Sequence, residues 1–248
     1  MPAPPGDHTG NAARAGMRLC RRMLLMLAVT LLGAVLVNLV GLWGVMIAGA
    51  SAWLAFTAFT IWFFRDPMPH VPTDPDAIVA PAHGRVDFVG PWTERELMGG
   101  DCHRISIFLS VFDVHVQNAP LAGVVQCLRY HPGRFRAAFS RKSEQGNENL
   151  FIGLQSSDNV GELIGMRLIA GFLARRVVCW VREGESVERG QRLGLIQFGS
   201  RCDLYLPTHS RIVVKLGDRV LGGETIMARS PGRLIAEQLI KEQIKERK

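Results

Sequence analysis

Between Met23 and Phe64 the chain carries no Asp, Glu, Lys, Arg or His. This uncharged run of 42 residues is about twice the roughly 20 that one helix needs to cross a bilayer. A signal peptide has a much shorter apolar core and a small-residue cleavage site, so the run is not read as one. Near its midpoint, "VNLVGLWG" (Val37 to Gly44) places Asn38, Gly41, Trp43 and Gly44 where a turn at the membrane interface suits them. The expectation is a helical hairpin, with spans over about 23–40 and 45–64. The other arrangement is one span plus a buried or interfacial helix. Arg14, Arg18, Arg21 and Arg22 precede the run and Arg65 follows it. Positive charge on both flanks puts both ends, and the following domain, on the cytoplasmic side of the cell membrane. Residues 1–22 read as a disordered tail rich in Pro, Gly, Ala and Asn.

The formal net charge is +7. On a membrane-tethered domain this favours an anionic lipid surface. No nucleic-acid motif and no basic run with interleaved aromatics occurs, so nucleic acid is not expected as a partner. The five cysteines, Cys20, Cys102, Cys127, Cys179 and Cys202, are odd in number and never spaced C-x-x-C. That fits a reducing compartment and offers neither a disulfide framework nor a zinc site.

Residues 65–248 read as one β-rich domain. A proline-rich exit (Phe63 to Val86) is extended, because each proline disfavours helix in the residue before it. Short apolar or alternating runs follow, among them "GRVDFVG", "HRISIFLSVFDVHV", "GVVQCLRYH", "LFIGLQSS", "GELIGMRLIAG", "RLGLIQF" and "DLYLP". "SRKSEQGNENL" reads as a polar loop. Pro231 to Lys248 has helical spacing and reads as a terminal amphipathic helix. A weak repeat at an offset of 33 matches Gly184, Val187 and Gly190 to Gly217, Val220 and Gly223. It resembles the hammerhead barrels of biotinyl and lipoyl carriers, which display a lysine between two such halves. Here the interval holds "QFGSRCDLYLPTHSR" and no lysine. The expected class is mostly β (α+β), a barrel-sandwich-like domain with an internal repeat, preceded by a transmembrane helical hairpin.

Gly199-Ser200-Arg201 interrupts the apolar strand pattern. Three readings compete: a bulge with an incidental hydroxyl, a hydrolase nucleophile, and a self-processing site. The Gly-x-Ser-x-Gly elbow is missing, which weakens the second. In the third, the Ser200 hydroxyl attacks the preceding Gly199 carbonyl, and the amide becomes an ester. Elimination then leaves dehydroalanine, which hydrolyses to a pyruvoyl group at a new N-terminus. A pyruvoyl carbonyl forms a Schiff base with an amine and serves as an electron sink. The step needs a base. His115 is a candidate, and on a strand Asp113 shares its face, so a carboxylate and an imidazole could be neighbours. Spacing alone does not rank His115 above His83, His103, His131 or His209.

Several segments carry a resemblance. "FFRDP", "SVFDVHVQNAP", "NEN", "IAGFLARRVVCW" and "GLIQFGSRCDLYLP" together resemble phosphatidylserine decarboxylases of the short, membrane-anchored prokaryotic form, over roughly residues 60–230. Phe-Gly-Ser-Arg stands in place of the Leu-Gly-Ser-Thr of the longer forms. The resemblance implies a proenzyme that cuts itself between Gly199 and Ser200 into a β chain (1–199) and an α chain (200–248). The two chains would remain a heterodimer, with the pyruvoyl cofactor derived from Ser200 and no metal. It implies phosphatidylserine as substrate, phosphatidylethanolamine and CO₂ as products, and His115 as base. Asp113 matches a nearby position that varies. Two departures stand out. The family usually has Pro-Ala-Asp-Gly where this chain has Pro81-Ala82-His83-Gly84, and Asn118 stands where short forms often carry Arg. An imidazole cannot replace an orienting carboxylate. Asp113 as substitute orienter, His83 as base, and slow or absent processing are the alternatives. If processing is absent, the protein is an uncleaved, membrane-tethered homologue that binds acidic phospholipid without turnover.

Overall fold

The computed structural model describes residues 11–37, 43–133, 146–158, 162–171, 176–197 and 200–230. Gly199, the turn at the middle of the apolar run, most of the polar loop and the expected C-terminal helix lie outside these residues. The chain divides into two units, one ending at Pro67 and the other beginning at Met68.

The first unit holds helix α1 (Asn11–Val37) and helix α2 (Trp43–Phe63). Helix α1 starts inside the stretch read as a tail, where "AARAGMRLCRR" is rich in strong helix formers. Helix α2 is long and apolar enough to cross a membrane. Thr60 is buried, and its Oγ1 lies 3.8 Å from Met23 Sδ. A Cβ built on Gly16 would come within 2.9 Å of the Phe64 Cβ. The start of α1 therefore lies beside the end of α2, and the two run antiparallel. Most of their large apolar side chains remain exposed, including Leu25, Val29, Leu32, Val45, Ile47 and Leu54. A water-soluble helix pair would turn such residues inward.

The second unit is built from antiparallel strands: β1 (Ala77–Val79), β2 (Gly84–Glu94), β3 (Gly100–Leu109), β4 (Val116–Asn118), β5 (Gly123–His131), β6 (Asn149–Ser156), β7 (Leu163–Ala170), β8 (Val177–Cys179), β9 (Ser186–Val187), β10 (Arg192–Ile196), β11 (Ser200–Pro207), β12 (Arg211–Ile212), β13 (Arg219–Val220) and β14 (Ile226–Arg229). Eight strands form one curled sheet in the order β13-β2-β3-β11-β7-β6-β5-β9. Two small sheets, β1-β14-β12 and β4-β10-β8, complete the unit. The main core uses one face of the large sheet: Ile105, Ile107 and Leu109 of β3, Cys202, Leu204 and Leu206 of β11, and Met166, Leu168 and Ala170 of β7. Ile78, Ala228, Leu193 and Ile196 of the small sheets join them.

The opposite face of β11 carries Arg201, Asp203 and Tyr205, and these are buried too. Arg201 Nε donates to Asp203 Oδ1 at 3.0 Å. Arg104 stacks 3.7 Å from the centre of the Trp92 ring and 4.3 Å from that of Phe88. Charges at this depth are tolerated because they are paired and stacked. Strand β11 is thus gripped on both faces.

The glycines at the matching offset have similar roles. Gly184 and Gly217 both adopt positive φ, and their N–H groups donate to Val125 and Val86 carbonyls, each at 2.8 Å. Gly190 and Gly223 also have positive φ and donate to Ala119 and Ala80. The left-handed conformation at these turns is open to glycine at little cost.

Candidate active site

Ser200 is the first residue of β11 and is fully buried. It is in phase with Cys202, Leu204 and Leu206, so its side chain points to the core face. Its neighbours across the ladders are Leu109 of β3 and Ala170 of β7. Ser200 Oγ has no hydrogen-bond partner among the described residues. A buried hydroxyl without a partner costs free energy, so its placement calls for a reason outside folding.

The run "HRISIFLSVFDVHV" was expected to be one strand. It breaks after Leu109, and residues 110–115 form a turn before β4. Ser110 and Asp113 cause the break. Ser110 N–H and Oγ–H both donate to Asp113 Oδ2, at 2.9 and 2.7 Å, and Asp113 N–H donates back to the Ser110 carbonyl at 3.0 Å. Such local side-chain bonds offer the backbone an alternative to the ladder. Asp113 and His115 therefore do not share a strand face as the sequence suggested.

The turn has a consequence for Ser200. Its first end, Leu109, is paired with Ser200. Its far end, His115, accepts a hydrogen bond through its carbonyl from Ile196 N–H at 3.2 Å. Leu195 pairs with Val116 just beyond. The arc from 109 to 116 is thus anchored on both sides of the three residues, 197–199, that lead to Ser200. His115 is fully buried there.

Its ring is oriented by Asp113, but through the backbone. His115 Nδ1 lies 2.9 Å from the Asp113 carbonyl oxygen. A carbonyl only accepts, so Nδ1 carries the proton and Nε2 is the nitrogen able to take one. The Asp113 carboxylate is engaged elsewhere, with Ser110 and with Arg219, whose Nη2 donates to Oδ1 at 2.7 Å. Gln117, also fully buried, donates from Nε2 to the His115 carbonyl at 3.1 Å.

The segment holding His83 reaches the same end of the sheet. Asn118 N–H donates to the Pro81 carbonyl at 2.8 Å. Gly84 opposes Val220 and packs so closely on β3 that a Cβ there would lie 2.2 Å from the Phe108 carbonyl oxygen. His83 and Asn118, the two departures from the family pattern, come together at Gly222. A Cβ on Gly222 would meet Asn118 Oδ1 at 2.8 Å and His83 Cδ2 at 3.0 Å. On the other flank of Ser200, Asn147 Nδ2 donates to the Ala170 carbonyl at 2.7 Å, and Ala170 N–H donates to Glu148. The "NEN" segment thus holds the residue paired with Ser200.

The other histidines do different work. His131 bonds Glu96 at 3.0 Å, and His103 Nε2 bonds the Thr208 carbonyl at 3.1 Å. His103 lies six residues along β3 from Leu109, about 20 Å from the Ser200 end. Burial, with the Asp203 carboxylate beside it, pushes the Cys202 thiol well up, so it stays a thiol and does not rival the Ser200 hydroxyl. No group of three or more His, Cys, Asp or Glu suited to a metal occurs among the described residues.

Ser110, Gln117, Arg219 and Gly222 were not expected at the site. Ser110 and Asp113 had a legible signal, since Ser-x-x-Asp is a turn-forming spacing. Gln117 reaches the His115 carbonyl from two residues away, while Arg219 and Gly222 arrive through tertiary contact and left no local trace.

Comparisons with known proteins identify the family of the chain. A sequence model of the family described as "Phosphatidylserine decarboxylase" matches residues 56–228. A phosphatidylserine decarboxylase proenzyme of Desulfotalea psychrophila is 44% identical over 174 residues, covering 70% of this chain and 80% of that protein. One of Chlorobium phaeobacteroides is 43% identical over 180 residues, covering 73% and 83%. One of Burkholderia mallei is 39% identical over 209 residues, covering 83% and 92%. On this evidence the chain belongs to the phosphatidylserine decarboxylase family.

Proposed function

We propose that the protein is a self-processing, pyruvoyl-dependent decarboxylase that converts phosphatidylserine to phosphatidylethanolamine and CO₂. The observation that carries the reading is the buried Ser200 hydroxyl, unpartnered among the described residues and bracketed by an arc that ends in His115. In maturation, His115 Nε2 takes the Ser200 proton as Oγ attacks the Gly199 carbonyl, and the Gly199–Ser200 amide becomes an ester. The proton goes to the departing amine. Base-assisted elimination releases the 1–199 chain as a carboxylate, and hydrolysis of the dehydroalanine gives the pyruvoyl group with loss of ammonia.

The residues present suit that group, since Ser200 is fully buried between two ladders. Once formed, it would supply a carbonyl for the substrate amine and an electron sink for the pair left by CO₂. His115 would hold or return a proton there. The Asp113 carbonyl fixes its tautomer, and Gln117 fixes its backbone. His83 takes the place of the family carboxylate as a polar neighbour of Asn118, and the Asp113 backbone supports orientation of His115 instead.

Helices α1 and α2 serve as a transmembrane hairpin with both ends on the cytoplasmic side. Trp43 and Trp62 at the two ends of α2, and Arg65 stacked 4.0 Å from the centre of the Trp62 ring, support this reading. The like hydrogen bonds of the Gly184/Gly217 and Gly190/Gly223 pairs support two hammerhead-like halves with Ser200 between them.

The test is Ser200→Ala in the full-length protein. The expected product is a single folded chain that releases no CO₂ from phosphatidylserine, beside a wild type that is cleaved and active. Decarboxylation by the variant would refute the reading. A wild type that binds lipid but is neither cleaved nor active would make it a phospholipid binder.

A further inference from the structure

We propose that the end of the large sheet at which Ser200 lies docks onto an anionic lipid bilayer. Phe112, Leu216 and Leu221 would enter the interface, while Arg85 and Arg219 would meet lipid phosphates. The proposal rests on the decarboxylase reading for its purpose.

The five residues come from three turns and one strand pair that the backbone ties together. Arg219 and Arg85 are directly opposite in the β13–β2 pair. Arg219 bonds Asp113, the neighbour of Phe112. Leu216 lies in the turn from Lys215 to Asp218, which is fastened to β2 by the Gly217 N–H on the Val86 carbonyl at 2.8 Å. Leu221 precedes Gly222, whose backbone lies against His83.

Phe112, Leu216 and Leu221 are 66%, 68% and 44% exposed. One exposed apolar side chain is ordinary, but three around the mouth of one buried site are not. They stand on separate turns, an arrangement that suits entry into a fluid interface.

The arginines supply the second observation. Like charges directly opposite on antiparallel strands destabilise the pair. Asp113 answers Arg219. The Arg85 side chain is exposed, while its backbone sits in the ladders opposite Phe108 and Arg219. Folding gives no reason for this juxtaposition, whereas a surface of phosphodiesters does. Lys215 adds an exposed cation at the same end, and the Asp218 carboxylate, also exposed there, accepts the Lys215 N–H at 2.7 Å. Docked this way, a serine headgroup would enter the domain at the end of the sheet where Ser200 lies.

The experiment uses the full chain reconstituted in nanodiscs, with two substrates: phosphatidylserine in the bilayer, and dihexanoyl phosphatidylserine below its micellar concentration. Variants are Leu216→Ser and, separately, Arg85→Glu. Each should lower the bilayer rate about tenfold while leaving the monomer rate within about twofold. Equal losses on both substrates, or no loss on either, would overturn the proposal. A wild type active on the monomer keeps the decarboxylase reading whatever the variants do. An independent readout is Leu216→Cys carrying an environment-sensitive fluorophore. Quenching by brominated anionic lipid is expected. A water-like spectrum, or a signal that instead follows protein dilution and marks a second copy as the occupant, would overturn it.

Discussion

Replacing Asp113 with Asn separates two ways in which this residue could support His115. If the carboxylate acted on the imidazole, as in an Asp–His pair, the amide would cost about four orders of magnitude in rate. The structure assigns that contact to the Asp113 backbone carbonyl, at 2.9 Å, and Asn keeps the carbonyl. What Asn removes is the charge on three other bonds: Ser110 N–H, Ser110 Oγ–H and Arg219 Nη2. A hydrogen bond to a charged group contributes about 1.5–3 kcal/mol, against about 0.5–1.5 for a neutral one. Two part-buried bonds therefore lose about 2–3 kcal/mol together. The Arg219 side chain is 64% exposed, so its pair is discounted to about 0–1 kcal/mol. The expected result is about 2–4 kcal/mol of lost stability, with self-cleavage slowed by less than about tenfold once folded protein is compared. Denaturant unfolding of the detergent-solubilised protein gives the first quantity, and the half-time of chain cleavage on denaturing gels gives the second. A loss of cleavage by about a thousandfold or more in a variant with near-wild-type stability would refute the backbone assignment.

Other outcomes follow from the same geometry. His115→Ala should abolish cleavage while the chain still folds, and normal cleavage would remove it as the base. Gly222→Ala should slow cleavage with only a small shift in Tm, because the new methyl would press on Asn118 Oδ1 and His83 rather than demand a forbidden backbone; cleavage kinetics beside thermal unfolding decide it. Burial raises the Glu96 carboxyl, but hydrogen bonds from His131 and Arg167 outweigh it and leave the value lowered. The stability this contributes is fully present above the ordinary carboxylate pKa of about 4.3 and is lost as pH falls through the lowered value. Glu96→Gln should therefore lose less stability than the wild type when unfolding is followed across pH 5 to 2.

Much of the fold could be read from local pattern. The alternation of "RISIFL" and "DLYLP" marks two strands, and the glycines at 184, 190, 217 and 223 mark turns that need positive φ. The 42-residue uncharged run yields two helices. The site was legible in part. Ser200 stood out because a hydroxyl interrupts a core strand, and the family resemblance drew out His115. The expected strand face shared by Asp113 and His115 is absent, because the period-2 argument assumed a strand where Ser110 and Asp113 build a turn. The meeting of His83 with Asn118 at Gly222 could not be read at all, since it joins three segments through a close backbone approach that leaves no periodic trace. Arg201 was quoted only as part of a motif, yet its pairing with Asp203 on the far face helps hold β11 in place.

The central claim is that Ser200 becomes the new N-terminus of a second chain. The most direct measurement is the intact mass of the purified protein, before and after borohydride reduction in the presence of an amine. The account predicts two chains divided at Gly199/Ser200, with an α chain that resists Edman degradation and gains the mass of the amine on reduction. A single full-length chain, or a fragment beginning with unmodified serine, would contradict it.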